Sequence, residues 1–248
     1  MGFEGKVAIV SGSASGMGQQ TARRLAERGA AIVLNDIDAT KLQSAVAEFR
    51  NSGWSVIGST ADISNRAEVD QMVKEAIDAF GRIDILVNNA GMERAGALRK
   101  LSEADWDSTI NVNLKGAFLC AQAVHGHMVG KKYGRVINIS SRAWLGGPGQ
   151  APYSSAKAGL VGLTRTLALE LGRNGITVNC VAPGLIHTPM WDQLPEKDKI
   201  YLRSKIPTQE LGDADDVANA VLFFADEAAG FISGQVLYVC GGRSLFAG

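Results

Sequence analysis

Two hydrophobic periodicities alternate along the chain. Short continuous apolar runs, such as residues 7–10 and 32–34, predict strands that are buried on both faces. Between the runs, apolar residues recur at helical spacing, and the clearest stripe extends over residues 69–80 and ends at Gly81. Strands that alternate with helices favour right-handed crossovers. The pattern therefore predicts an α/β fold with one doubly wound parallel sheet and helices on both faces.

The sheet is predicted to contain seven strands. After the first two, apolar runs predict strands near residues 56–57, 85–87, 136–139, 176–178 and 236–239. Among the helices, one long helix is predicted over residues 103–128, and others over residues 153–171 and 213–228. No repeat, low-complexity tract or linker interrupts this order, so residues 1–248 are predicted to form a single domain.

Composition indicates a large core and excludes some partners. Hydrophobic residues make up 46% of the 248 residues, which excludes intrinsic disorder, and 25 Lys and Arg residues are balanced by 25 Asp and Glu residues. Without a basic excess, nucleic acid is not an expected partner. No segment has the pattern of a secretory signal or a membrane-spanning helix, so we expect a cytoplasmic protein that does not bind membranes.

Cysteine and histidine residues do not form a pattern typical of a disulfide framework or a metal site. Cys120, Cys180 and Cys240 are far apart among apolar neighbours, which is typical of buried thiols in a reducing compartment. His125 and His127 are two positions apart and therefore lie on different faces of a helix. No Cys/His cluster has ligand spacing, so we predict no metal.

A glycine cluster follows the first strand. Gly12, Gly16 and Gly18 surround Ser15 and Met17 at the start of a predicted helix, where backbone N–H groups and the helix dipole favour an anion such as a pyrophosphate. The spacing G-x-x-x-G-x-G differs from the common dinucleotide fingerprint G-x-G-x-x-G. By itself such a cluster also suits a purely structural turn.

Asp36 changes the interpretation of this cluster. It ends the second strand, 24 positions after Gly12, where a carboxylate accepts hydrogen bonds from an adenosine ribose. A carboxylate there repels a 2′-phosphate, so the sequence predicts a Rossmann-like dinucleotide fold that prefers NAD to NADP. Asp38 is expected to cap the next helix, although Asp36 is an alternative cap. Arg23 and Arg24 would weaken the repulsion if they faced the site.

A tyrosine and a lysine share one face of a predicted helix. Tyr153 and Lys157 are four positions apart, and an ammonium group near a phenol lowers the phenol pKa from about 10 towards the range useful for proton transfer. The preceding strand ends in Ser140 and Ser141, whose hydroxyls are suited to hold a carbonyl or alcohol oxygen beside the tyrosine. The spacing alone is common on ordinary helices.

Together these residues resemble the short-chain dehydrogenase/reductase family. Further motifs in the expected order are residues 88–91 (Asn-Asn-Ala-Gly), Asn113 within residues 111–114, and Pro183-Gly184 followed by Thr188. The resemblance extends from the glycine cluster to Gly241-Gly242. It implies an oxidoreductase in which Tyr153 is the acid/base, Lys157 lowers its pKa and binds the nicotinamide ribose, Ser141 polarises the substrate oxygen, and Asn113 holds a water in a proton relay.

The same resemblance implies a set of cofactor contacts. Asp62 and Ile63 are expected to border the adenine, and Ile186 and Thr188 to meet the nicotinamide carboxamide. Residues 88–91 also suit a turn that ties neighbouring strands together, and both roles are compatible. The full predicted cofactor set is Gly12, Ser15, Gly16, Met17, Gly18, Asp36, Asp62, Ile63, Asn89, Ala90, Gly91, Tyr153, Lys157, Pro183, Gly184, Ile186 and Thr188.

One assignment remains open between two neighbouring serines. The usual family interval between serine and tyrosine points to Ser140, whereas counting along the strand from Arg135 points to Ser141. We favour Ser141, because a shortened loop is less costly than a strand slip that moves every side chain to the other face of the sheet.

The substrate side is expected to be apolar. Residues 185–210 are predicted to form a mobile lid that carries Met190 and Trp191, with Trp144 at the entrance; Ser141 and Tyr153 complete the predicted substrate contacts. The expected small-molecule substrate is a compact hydrophobic secondary alcohol, cyclic and aromatic ones included, or its ketone. Surplus apolar residues near the C-terminus, such as Val221 and Phe224, predict a homotetramer.

Two rival functions remain at this stage. The sequence also resembles 3-oxoacyl-[acyl-carrier-protein] and 3-oxoacyl-CoA reductases that use NADPH, and Asp36 argues against that activity. The other rival is a catalytically silent family member that binds a dinucleotide as a regulatory signal. The intact set of Asn113, Ser141, Tyr153 and Lys157 argues against silence.

Overall fold

The strands form one parallel sheet in the computed structural model, which describes residues 2–187, 189–192 and 194–245. The strand order within these residues is β3-β2-β1-β4-β5-β6-β7. The order reverses between β1 and β4, as predicted for a doubly wound sheet. The strands are β1 (Val7–Ser11), β2 (Ala31–Asp36), β3 (Val56–Thr60), β4 (Ile85–Asn88), β5 (Gly134–Ile139), β6 (Ile176–Pro183) and β7 (Val236–Val239).

Helices cover both faces of the sheet, which confirms the predicted fold class. On one face α1, α2 and α9 contribute to a buried cluster that includes Leu25, Phe49 and Phe224. On the other face α3 and α5 bury Met72 and Val124. The helices are α1 (Gly16–Ala26), α2 (Ala39–Asn51), α3 (Arg66–Phe80), α4 (Glu103–Ile110), α5 (Gly116–Lys131), α6 (Ala151–Leu171), α7 (Pro189–Asp192), α8 (Glu196–Ser204) and α9 (Ala214–Ala225).

Strand periodicity distributes the core between these two faces. In β1, Ala8 and Val10 join the first cluster, while Val7 and Ile9 join the second. Successive side chains point to opposite faces of a strand, so a strand covered by helices on both sides needs a continuous apolar run. This explains why the runs lack the alternation of a half-exposed strand.

The predicted long helix over residues 103–128 is wrong in one respect. α4 and α5 are separated by a π-helical turn, Asn111–Lys115, in which the Gly116 N–H donates to the Asn111 carbonyl. Asn113 in this turn is buried, and its Nδ2 donates to the Thr109 carbonyl at 2.9 Å. One residue is added to a single turn while the apolar pattern continues, so periodicity does not reveal the interruption.

Several helix ends lie where their local chemistry predicts. The Asp38 side chain accepts hydrogen bonds from Thr40 N and Lys41 N at the start of α2, and these backbone donors hold the pKa of Asp38 below its ordinary value. α9 ends at Ala225 rather than at the predicted Ala228, because Asp226 adopts an extended conformation and caps a short 3₁₀ turn.

Within the described residues, no helix combines the length and apolarity needed to cross a lipid bilayer.

Candidate active site

A cavity of about 550 Å³ lies at the carboxyl ends of β1, β2, β4 and β5. This is the edge of the sheet where the strand order reverses, and where ligands bind in doubly wound folds. Its described lining brings together these residues predicted from the sequence: Gly12, Ser15, Met17, Gly18, Asp36, Asp62, Ile63, Asn89, Ala90, Gly91, Tyr153 and Lys157.

The glycine loop is built by close backbone approaches. Gly12 has a φ of +62°, and a Cβ at this position would lie 2.7 Å from the Ala90 Cα. A Cβ on Gly18 would collide with the Gly12 carbonyl oxygen. Gly16, at a φ of +59°, is exposed at the N-terminus of α1, and nothing lies close to the position that a Cβ would take. Packing therefore requires glycine at positions 12 and 18.

The turn after β4 is hydrogen-bonded to this loop. Asn89 Nδ2 donates to the Ser11 and Gly12 carbonyls, at 2.9 Å each. The Ser11 hydroxyl accepts from the backbone N–H groups of Asn89 and Ala90, at 3.1 Å each. Asn88 reaches the other way, because its Nδ2 donates to Asn138 Oδ1 on β5 at 2.8 Å. The turn therefore ties strands together and lines the cavity as well.

Asp36 presents a carboxylate at the cavity rim. One of its oxygens accepts from Ala14 N at 3.2 Å and the other from Asp38 N at 3.1 Å. Arg23 is paired with Glu48 on α2, and Arg24 with Asp215 on α9 at 2.5 Å. Neither arginine lines the cavity, in which Lys157 is the only cationic side chain of the described lining.

Lys157 carries a deeply buried amine. Its side chain lies beside the end of β5, where Nζ donates to the Ile139 carbonyl at 2.8 Å. The amine is 5.5 Å from the centroid of the Tyr153 ring, as expected for residues one helical turn apart on α6. Burial lowers the pKa of Lys157 to about 8, because the charged form loses hydration.

The pKa of the Tyr153 phenol is shifted upward in the protein chain. Burial raises its pKa above the ordinary value, a hydrogen bond with Ser141 opposes that shift, and the nearby Glu93 carboxylate adds to it. The physical reason for the upward shift is that the charged phenolate loses hydration at this site. The predicted lowering of this pKa by Lys157 stays a prediction.

The two serines after β5 have different environments. The Ser140 hydroxyl is buried and donates to the Lys157 carbonyl at 2.8 Å, so it joins β5 to α6. The Ser141 hydroxyl accepts from Ala143 N at 3.1 Å and forms the hydrogen bond with the Tyr153 hydroxyl. Ser141 is thus the serine beside the phenol, whereas Ser140 is bonded to the helix backbone.

Asn113 has an unused acceptor next to Lys157. Its Nδ2 donates to the Met92 carbonyl at 2.7 Å and to Thr109, but its Oδ1 is buried without a partner among the described residues. A Cβ placed on Gly91 would lie 2.7 Å from this oxygen and 3.4 Å from Lys157 Nζ. The π-helical turn therefore brings an orphan acceptor and an amine to the same glycine, as a water-holding site requires.

Several residues predicted for the nicotinamide and substrate side are not part of this described lining. Ile186 forms a bridge with Gly212, and Pro183 ends β6 with Gly184 after it. Trp144 stacks on Tyr238, with ring centroids 6.3 Å apart. Trp191 is buried, with Arg203 over its ring at 5.7 Å. Both indoles are thus packed against protein; Thr188 and the Met190 side chain lie outside the described residues.

Sequence reasoning missed several lining residues. Asn35 precedes Asp36, and its Nδ2 donates to the Ser59 and Ala61 carbonyls at 3.1 Å each. Its position at the end of β2 was a usable signal, because strand ends supply the ligand crevice. The other lining residues that were not predicted are Ile37, Ala61, Met92, Val112 and Ile139. No group of three potential metal-ligating acidic, His or Cys side chains occurs within the described ranges.

Comparisons with known proteins identify the family. Residues 12–244 match the profile of a family described as enoyl-(acyl carrier protein) reductase. The chain is 72% identical to the (2S)-[(R)-hydroxy(phenyl)methyl]succinyl-CoA dehydrogenase subunit BbsD of Thauera aromatica, over 100% of both chains. It belongs to the short-chain dehydrogenase/reductase family. It is therefore an oxidoreductase that acts on CH–OH groups or the corresponding carbonyls.

Other relatives of this short-chain dehydrogenase/reductase differ in substrate. It is 40% identical to the 3-oxoacyl-[acyl-carrier-protein] reductase FabG of Thermotoga maritima, with 98% of this chain and 99% of that protein covered. A solved gluconate 5-dehydrogenase of Burkholderia cenocepacia, in complex with NADP and tartrate, superposes with a TM-score of 0.94 at 35% identity, covering 99% of this chain and 98% of that one. The shared fold thus accommodates different alcohols.

The burial of Lys157 has a measurable consequence for stability. Its pKa is about 8 in the folded protein and near 10.5 when exposed, so between these values the unfolded state binds more protons and stability rises with pH. From pH 7 to pH 10, the free energy of unfolding of the unmodified protein should rise by about 2 kcal/mol relative to Lys157→Met, measured by urea denaturation. Lys74→Met changes an exposed position of α3, so its free energy of unfolding relative to the unmodified protein should show no such pH dependence. A pH-independent difference for Lys157→Met would mean that the native amine titrates as an exposed lysine does.

Proposed function

We propose that this protein is an NAD-dependent dehydrogenase that oxidises the secondary alcohol of a phenyl-bearing hydroxyacyl-CoA thioester to the ketone. The observation that carries the proposal is the 72% identity, over the full length of both chains, with a hydroxy(phenyl)methylsuccinyl-CoA dehydrogenase subunit. The juxtaposed Ser141, Tyr153 and Lys157 support it, because they suit proton transfer from an alcohol. The phenyl group agrees with the compact hydrophobic secondary alcohol, aromatic ones included, that the sequence predicts.

Tyr153 is the proposed acid/base. In oxidation its phenolate oxygen takes the hydroxyl proton while the carbon–oxygen bond becomes a carbonyl, and in reduction the phenol returns that proton. When bound, a nicotinamide dinucleotide supplies the acceptor or donor for the hydride of the same carbon. Because burial raises the pKa of Tyr153, the phenolate is scarce near neutrality and oxidation is expected to accelerate as the pH rises.

Three neighbours support this proton transfer. Ser141 shares a hydrogen bond with the phenol and is placed to hold the substrate oxygen. Lys157 contributes positive charge below its pKa of about 8, which favours the phenolate. The orphan Asn113 Oδ1 near Lys157 Nζ is suited to a water through which the proton leaves for solvent.

The cavity fits a dinucleotide by its own chemistry. The glycine loop at the N-terminus of α1 suits a pyrophosphate, and the Asp36 carboxylate at the rim suits ribose hydroxyls. NAD is proposed over NADP because Asp36 would repel a 2′-phosphate, while Arg23 and Arg24 are paired elsewhere. Pro183, Gly184, Ile186 and Thr188 remain proposed contacts of the nicotinamide end.

The second candidate is reduction of 3-oxoacyl thioesters with NADPH. The relatives near 40% identity carry that name, which favours the candidate. The charge at Asp36 opposes this candidate, because a phosphorylated ribose needs cationic neighbours.

The predicted single domain, the lid over residues 185–210 and the homotetramer remain proposals. The relative from Thauera aromatica is named a subunit, so a second type of chain is an alternative partner.

Replacing Tyr153 by Phe tests the proposed chemistry. Turnover of hydroxy(phenyl)methylsuccinyl-CoA with NAD should fall by about 10²–10⁴-fold, because no group remains to take the proton. Binding of NADH, measured by fluorescence titration, should be unchanged. Tyr133→Phe is the matched control, since Tyr133 lies at the opposite end of the sheet next to β5. Retained turnover in Tyr153→Phe would contradict the acid/base role, and a wild-type preference for 3-oxoacyl thioesters with NADPH would favour the second candidate.

Alanine substitutions of Ser140 and Ser141 should have different effects on turnover and on stability. Ser141→Ala should lower kcat by about 10²-fold, because the oxygen that changes charge loses its hydrogen-bond donor. Ser140→Ala removes a buried hydrogen bond and should lower the free energy of unfolding by about 1 kcal/mol while turnover persists. Steady-state kinetics and urea denaturation of both variants measure these effects. The reverse pattern would assign the substrate oxygen to Ser140.

Asp36→Ala should reduce the preference for NAD over NADP. Removing one carboxylate charge is expected to lower the ratio of kcat/KM with NAD to kcat/KM with NADP by about tenfold, which corresponds to ~1.4 kcal/mol. Asp38→Ala is the control, because Asp38 caps α2 and does not line the cavity. It should lower the melting temperature and leave the ratio unchanged. An unchanged ratio in Asp36→Ala would remove this residue from the ribose site.

A further inference from the structure

Two arginines without acidic partners lie at the strand ends beyond the described cavity. Arg142 begins a 3₁₀ turn, Arg142–Leu145, directly after Ser141, and Arg243 begins another, Arg243–Leu245, after β7. Within the described residues, neither side chain forms an ion pair with a carboxylate. Arg142 Nε is buried and has no hydrogen-bond partner there.

The fold brings these arginines together. β5, β6 and β7 are neighbours in the parallel sheet, so the loops after β5 and β7 leave from the same edge. The stacking of Trp144 on Tyr238 holds the first 3₁₀ turn against the end of β7. Burial and the Arg142 guanidinium both lower the pKa of Arg243, which agrees with this arrangement.

Such a pair is unfavourable unless an anion completes it. Partly buried like charges repel each other, and a buried guanidinium N–H without an acceptor costs additional free energy. A planar guanidinium matches a carboxylate in bidentate geometry, and two of them surround one anion. The unsatisfied Nε of Arg142 therefore points to a carboxylate or phosphate ligand that the protein chain does not supply.

The position relative to the reacting centre restricts which anion this is. Arg142 is the residue next to Ser141, whose hydroxyl contacts the Tyr153 phenol. Arg142 therefore belongs to the turn that begins at the serine proposed to hold the alcohol oxygen. In a succinyl thioester, the free carboxylate is separated from the alcohol carbon by two carbons. The phosphates of coenzyme A lie beyond the whole pantetheine arm.

We propose that Arg142 and Arg243 bind the free carboxylate of a dicarboxylic acyl thioester, and that they select such substrates over acyl thioesters lacking the carboxylate. The inference rests on the proposed function and deepens it, because it names the part of the substrate that the chain recognises. Ser141 and Tyr153 would then hold the alcohol oxygen while the arginine pair orients the acyl group. The phosphates of coenzyme A are the other source of the same anionic chemistry.

The test compares three alcohols in the full-length protein. The first is hydroxy(phenyl)methylsuccinyl-CoA, the second is 3-hydroxy-3-phenylpropanoyl-CoA, which lacks the carboxylate, and the third is the N-acetylcysteamine thioester of the first acid, which lacks the phosphates. In Arg142→Gln and Arg243→Gln, KM should rise at least tenfold for the first and third compounds and stay unchanged for the second. Arg142→Lys should restore part of the loss. Arg173→Gln, next to the C-terminal end of α6, is the control.

Each other outcome has a definite meaning. A loss on both CoA thioesters but not on the N-acetylcysteamine thioester would assign the arginines to the phosphates and overturn the inference. An equal loss on all three compounds, or none, would overturn it as well, because the arginines would then be structural or uninvolved. If the unmodified protein oxidises none of the three, the proposed function fails and the inference fails with it. If the unmodified protein oxidises all three compounds and the arginine variants keep its KM values, the inference fails while the proposed function stands.

Discussion

The docking of α6 against the end of β5 is the constraint on which the site depends. Lys157 Nζ donates to the Ile139 carbonyl, and the Ser140 hydroxyl donates back to the Lys157 carbonyl. These two buried bonds determine where the first turns of the helix lie. Tyr153, one turn earlier on the same face, is thereby held beside Ser141.

A second docking, made of backbone rather than side chains, forms the other half of the cavity. The turn after β4 approaches the glycine loop so closely that Gly12 has no room for a Cβ. Asn89 then bonds to two carbonyls of that loop. Because both turns start from strand ends, the sheet itself positions them, and Gly16 remains exposed at the N-terminus of α1.

Charge at the carboxyl edge of the sheet is distributed unevenly, and the proposed selectivity depends on this asymmetry. Asp36 keeps its carboxylate among backbone donors, while the arginines nearest to it in sequence are paired on other helices. At the far end Arg142 and Arg243 have no described acid beside them. A cofactor without a phosphate next to Asp36 and a substrate with a carboxylate next to the arginines would match these charges. Selectivity of this kind depends on charges that the chain leaves uncompensated as much as on those it pairs.

Local patterns in the sequence determined the order of strands and helices, the parallel sheet, the Asp38 cap and the shared face of Tyr153 and Lys157. Each depends on spacing or on neighbours a few residues away, which the linear chain already contains. Tertiary structure alone decided the environments of Ser140 and Ser141, the π-helical turn at Asn113, the raised pKa of Tyr153 and the packing of Trp144 and Trp191. These depend on burial and on contacts between distant segments, and loss of hydration at a site is a property of its whole surroundings.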